Sequence, residues 1–129
     1  MTTKRRVVIT GLGVATPIGI GIDAYWEGLL RGQCGLKRIS AFDPGGLPIQ
    51  IAGELPGFQL GDYIPKAYRK SAKVMARDIM IAVVCAYHAV VDAKLVTKCI
   101  IDRGEHAGPP NLEVTRFGAN IGAGLICAD

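Results

Sequence analysis

Aromatic side chains are scarce in this sequence: four tyrosines, three phenylalanines and the single Trp26 make up 6% of 129 residues. That scarcity removes the stacking platforms on which single-stranded nucleic acid is held. Positive charge is in only modest excess, 15 Lys and Arg against 11 Asp and Glu, for a net +4. The dense cationic stripes of a nucleic-acid binder are therefore missing, and an acidic protein partner suits the charge better. Cys34, Cys85, Cys99 and Cys127 include no C-x-x-C pair. Two of them fall in apolar runs, where a thiol acts as a small hydrophobe, so a reduced, cytoplasmic setting is expected.

Long unbroken apolar runs are lacking as well. Lys4-Arg5-Arg6 and the apolar residues after it have the outline of a secretion signal. Gly11, Gly13, Thr16, Pro17, Gly19 and Gly21 interrupt the run, and it has no small-residue cleavage site, which argues against export. The later stretch over 79–91 is too short to span a bilayer and contains His88, so no membrane anchor is expected. Internal repeats and low-complexity tracts are absent.

What is present is a globular composition, 50% hydrophobic and 20% charged, with 17 glycines and seven prolines. Such a glycine content suits α/β chains, whose strand-to-helix turns need close backbone approach. Residues 5–10 are a β-branched run opening onto Gly11-Leu-Gly13, which predicts a core strand and a turn. An amphipathic helix is predicted over 22–31, with Asp23 near its start and Gly32 past its end, so that 5–32 forms a strand-turn-helix unit. Residues 33–66 are turn-rich and read as surface elaboration, with a half-exposed strand or hairpin arm at 49–54. A long helix, apolar on nearly every face and hence buried, is predicted over 71–93. Residues 94–115 read as an exposed polar loop, and 114–124 as a second core strand ending in Gly122-Ala-Gly124. Two strands and one apolar helix do not cover one another, since a stable sheet needs about three or more strands. The chain thus reads as the opening of a larger layered unit.

The string Arg5-Arg-Val-Val-Ile-Thr-Gly-Leu-Gly-Val-Ala-Thr-Pro-Ile-Gly19 resembles the opening of β-ketoacyl-acyl-carrier-protein synthases. The resemblance continues through Tyr25-Trp-Glu-Gly-Leu-Leu-Arg-Gly-Gln-Cys-Gly35, Ile39-Ser-Ala-Phe-Asp43, Ile51-Ala-Gly53 and Phe117-Gly-Ala-Asn-Ile-Gly-Ala-Gly124. It implies an α/β fold, the incomplete first half of a thiolase-like layered arrangement. It also implies a decarboxylative Claisen condensation in fatty-acid or polyketide assembly, in which a cysteine thiolate accepts the acyl group from a carrier thioester. Two histidines and a lysine then assist decarboxylation. The resemblance places all four catalytic groups beyond Asp129, so the 129 residues alone are expected to be inactive. The implied partners are the acyl carrier protein and acyl and malonyl thioesters, with a homodimer for the complete fold. No cofactor and no metal ion are implied.

Two binding roles carry over. The family's carrier protein docks on basic residues at the start of its long helix, which match Lys70 and Lys73, with Arg69 as a neighbour. Val74 and Ala76 stand where relatives often carry a base and an acid. The residue after Gly122-Ala-Gly124 lines the family's acyl pocket, which makes Leu125 the candidate.

The cysteines lack the Thr-Ala-Cys-like elbow of the family's nucleophile, so all four are expected to be inert thiols. His88 and Asp92, one helical turn apart, are expected to form an ion pair rather than a metal site, and His106 to be solvated. Two other readings compete. One is a non-catalytic thiolase-like subunit or carrier-binding fragment. The other is a dinucleotide-binding module, suggested by Gly11-Leu-Gly13 after a strand. Thr16 stands where its third glycine belongs, and no acidic residue ends a clear second strand.

Overall fold

The computed structural model describes residues 4–122 and 124. Residues 14–22 form the first ordered unit. Pro17 and Ile18 turn the chain between β1 (Ala15–Thr16) and β2 (Gly19–Ile20), which pair antiparallel. Helix α1 (Ile22–Leu30) follows at once, with Asp23 favourably placed in its first turn. It closes at Gly32, whose φ of 64° lets Gln33 N–H reach back to the Gly28 carbonyl. Buried Gly28 lies against Ile18, so the hairpin packs on the helix it leads into.

A second antiparallel pair joins β3 (Leu36–Arg38) to β4 (Ile51–Gly53), in the register Leu36 with Gly53 and Arg38 with Ile51. The Glu54 carboxylate clasps the connecting loop by accepting the N–H groups of Ser40 and Ala41, each at 2.9 Å, together with the Ser40 hydroxyl. Those bonds hold its pKa below the ordinary carboxylate value, the Ser40 hydroxyl contributing most.

Helices α2 (Arg69–Ala72) and α3 (Arg77–Asp92) stand where one helix over 71–93 is expected. The N–H groups of Lys73, Val74 and Met75 bond three residues back, and Ala76 is extended at φ −63° and ψ 155°. A continuous helix would stack Arg69, Lys73 and Arg77 one turn apart on one face, an arrangement of repelling like charges that the break relieves. Nor is α3 buried throughout. Val84 is fully enclosed, while Ile79 and Val91 are substantially exposed.

The core lies where α3 meets the segment before α2. Val84, Leu60 and Ile64 form its centre, with Ile20, Phe58, Met75 and Met80 packed around them. The stretch expected to be an exposed loop over 94–115 contains a short helix, α4 (Lys98–Asp102), capped by the Thr97 hydroxyl and anchored by buried Ile100.

The two predicted core strands are not formed. Residues 5–10 take up no regular element, and Val7, Val8 and Ile9 are 94%, 73% and 82% exposed. Among the described residues of 114–124 there is a single 3-10 turn at Val114–Arg116, and 117–122 are exposed without a ladder. A β-branched run becomes a strand only when a neighbour accepts and donates its backbone hydrogen bonds, and none is available among the described residues. Both sheets among the described residues are two-stranded and antiparallel.

Candidate functional site

Gly11 and Gly13 set the site's foundation by lying directly on α3. A Cβ on Gly13 would fall 1.9 Å from the Cys85 carbonyl oxygen, and one on Gly11 would fall 2.4 Å from that of Ala89. The turn is pinned further by Leu12 N–H, which donates to Asp92 Oδ2 at 2.8 Å. The glycines are thus needed for helix contact, which removes the main support for a phosphate-cradling loop.

On the other side of the core, the chain between Ile64 and α3 is strongly basic. Lys66, Arg69, Lys70, Lys73 and Arg77 fall within twelve residues that contain no acid, and all five are exposed. Two are occupied: Arg69 donates to the Gly61 carbonyl at 3.1 Å, and the Arg77 guanidinium sits 5.6 Å from the centre of the Phe58 ring. Lys66, Lys70 and Lys73 have no ion-pair partner among the described residues. The two predicted docking residues therefore do lie together, Lys70 in α2 and Lys73 at its C-terminal cap. Lys66, missed in the sequence reading, belongs to the same surface. Its sign was the absence of any acid between Asp62 and Asp78.

An open groove of about 770 Å³ runs beside this segment, lined by Lys66, Arg69, Ile101, Asp102 and Arg103 among others. Its far wall is tied to α3. Arg103 Nε donates to Glu105 Oε1 at 2.7 Å, its guanidinium lies 5.0 Å from the Tyr87 ring centre, and the Tyr87 hydroxyl donates to Glu105 at 2.9 Å. Partial burial pushes Glu105 up, but the bonds from Arg103 and Tyr87 outweigh it and hold the carboxyl below its usual range.

The expected pair between His88 and Asp92 is not made. Asp92 is taken by Leu12, while His88 Nε2 is enclosed without a partner among the described residues. The imidazole lies in an aromatic cluster, 5.5 Å from the ring centres of Tyr63 and Tyr87, with its edge against Gly21. Desolvation lowers its pKa from 6.5, so the fold favours the neutral ring. Below about pH 6.5 the unfolded chain then binds more protons than the native one, and stability falls as pH falls. Thermal melts should show a lower midpoint near pH 5 than near pH 7.5, and His88→Gln should flatten that slope. An unchanged slope in the variant would place its origin elsewhere.

Cys34, Cys85 and Cys99, the cysteines among the described residues, carry no sign of activation. Burial pushes both the Cys85 and Cys99 thiols up, and Cys34 is exposed in its turn. A thiol-alkylating reagent near neutral pH should therefore label Cys34 well before Cys85 or Cys99, as mass spectrometry of timed samples would show. Modification of Cys85 first would overturn this assignment. Cys127 and Leu125 lie outside the described residues. His106 is exposed.

Residues 4–124 match the family described as beta-ketoacyl synthase, N-terminal domain. The 3-oxoacyl-[acyl-carrier-protein] synthase 2 of Staphylococcus aureus (strain COL) is 40% identical over 95 residues, which are 74% of this chain and 22% of that protein. Its namesake from Synechocystis sp. is 41% identical over 93 residues, 72% of this chain and 22% of the relative. Among solved structures, the ishigamide ketosynthase/chain length factor superposes with a TM-score of 0.60 at 38% identity, covering 73% of this chain and 23% of that one. The match spans under a quarter of each relative's length. Fold and sequence agree on a partial thiolase-like α/β arrangement, and the chain belongs to the β-ketoacyl synthase family through its N-terminal domain.

Proposed function

We propose that this chain supplies the N-terminal part of a β-ketoacyl-acyl-carrier-protein synthase and that its exposed lysines receive the acidic carrier protein. The observation that carries this reading is the coincidence of the family match over 4–124 with three uncommitted lysines on one exposed segment. In the complete synthase a cysteine thiolate takes the acyl group from the carrier thioester. Loss of carbon dioxide from a malonyl thioester then generates the carbanion that attacks it, lengthening the chain for fatty-acid or polyketide assembly. Lys70 and Lys73, with Lys66 and Arg69 beside them, steer and hold the carrier through its negative charge. Leu125 contacts the acyl chain, and the setting is the reducing cytoplasm, as the lack of any C-x-x-C pair suggests. The complete synthase acts as a homodimer.

A non-catalytic, carrier-binding subunit is the second reading, and its docking rests on the same lysines without ion-pair partners among the described residues. Titrating the chain with an acyl carrier protein at increasing salt tests the docking common to both. Affinity should fall steadily as salt screens the lysines, and binding that ignores salt, or no binding at low salt, would defeat the assignment. Condensing activity that depends on one of the chain's own cysteines would contradict the roles given to them here.

A further inference from the structure

Val74 stands apart on the lysine surface because it is apolar and almost bare. It is 87% exposed, a value exceeded only by Val7 among the large hydrophobic side chains of the described residues. The N–H groups of Lys73 and Val74 donate to the carbonyls of Lys70 and Ser71, each at 3.2 Å. Residues 70–74 thus form one tight turn that holds Val74 beside both lysines. A β-branched residue is a weak helix former, and one left in water contributes no burial, so this side chain does little for the turn itself. Position 74 is also one where relatives often carry a base. Loss of that charge relieves repulsion from Lys70 and Lys73, but a serine or glutamine would do so without setting apolar surface in water.

Resting on the carrier reading above, we propose that Val74 is the apolar anchor of this docking surface, and that the carrier protein suited to this chain meets it with an apolar side chain flanked by carboxylates. The occupant follows from charge and size. Lys66, Lys70 and Lys73 lack ion-pair partners among the described residues, and no acid lies between Asp62 and Asp78, so the surroundings of Val74 select an acidic protein. A lipid surface is disfavoured, because α2 is four residues long and Val74 alone does not make the apolar face that holds a helix in a membrane interface. The two kinds of contact act on different rates. The lysines speed encounter and lose their effect as salt screens them, whereas the covered valine slows departure at any salt. The anchor also discriminates between carriers. One with a further acid facing position 74 would press a carboxylate against the valine without a partner and bind less well.

The test titrates the chain and its Val74→Ser and Val74→Lys variants with an acyl carrier protein, between about 0.02 M and 0.5 M sodium chloride. Val74→Ser should weaken binding about tenfold, by the same factor at every salt concentration, and leave the salt slope unchanged. Val74→Lys should bind more tightly than the native chain at the lowest salt and more weakly at the highest, so that the two curves cross. Val74 is exposed, so circular dichroism of both variants should match that of the native chain. A Val74→Ser chain that binds as well as the native one, or a Val74→Lys chain that binds more tightly throughout, overturns the proposal. So does attachment to phosphatidylglycerol vesicles that is lost in Val74→Ser while carrier affinity stays, which makes a lipid surface the occupant. Absence of carrier binding by the native chain at low salt overturns both readings. Salt-dependent binding that is indifferent to Val74 overturns this one alone and leaves the lysine assignment standing.

Discussion

Replacing Gly13 by valine should lower the thermal midpoint of the chain by about 10 °C or more, reflecting an overpacking cost of about 3 kcal/mol. The Cβ alone would sit 1.9 Å from the Cys85 carbonyl oxygen and 2.7 Å from Ala89 N, both backbone atoms of α3 that have no rotamer with which to retreat. The helix must therefore move off the turn. That movement strains the bond from Leu12 N–H to Asp92 and loosens the hairpin unit above it. Gly57 provides the control, since a Cβ there meets nothing within 4 Å, and Gly57→Ala should change stability by less than about 0.5 kcal/mol. Melts followed by circular dichroism at the helix band decide the matter. Equal midpoints for the two variants would mean that the turn does not lie on α3 as described.

Reversing Lys70 and Lys73 together to glutamate should weaken carrier-protein binding by about one to two orders of magnitude at low salt. In a complete synthase the same change should raise the apparent Michaelis constant for carrier-bound substrate by a similar factor, with a smaller effect on free thioester analogues. Both residues are exposed and without ion-pair partners among the described residues, so the reversal breaks no ion pair. Near 0.1 M salt the screening length is about 10 Å, and the difference between the native and reversed chains should shrink as salt rises further. Equal loss on free and carrier-bound substrates would show that these lysines act on the fold or the chemistry instead.

Local signals survived translation into structure where the responsible contacts are close in sequence. Helix α1 was legible because Asp23 and Gly32 bracket it within one short span. Strand β4 was visible in the alternation around Ile51, although its partner β3, across a twelve-residue loop, was not. The break between α2 and α3 was hidden because hydrophobic periodicity runs straight through Val74 and Met75, while the repulsion of Arg69, Lys73 and Arg77 acts on the polar face. The strands at 5–10 and 114–124 were read from residue type alone, yet a strand is defined by its neighbour. For the candidate site, the positions of Lys70 and Lys73 were accessible through resemblance. The freedom of Lys66 and the occupation of Arg69 and Arg77 depend on Gly61 and Phe58, whose placement no spacing rule supplies. The His88 and Asp92 pairing failed for a similar reason, since Leu12, distant in sequence, takes the carboxylate first.

The glycine seam along α3 also bears on the entropy of assembly. Ordering a residue's backbone costs about 1–2 kcal/mol, and a run free at both ends would bear that cost over its whole length. The run at 5–10 is not free at both ends. Its C-terminal side enters a turn seated on the backbone of Cys85 and Ala89 and held by Asp92, which fixes the point and direction from which it departs. Whatever strand adds there meets a template already anchored at one end, so part of the ordering is done before encounter.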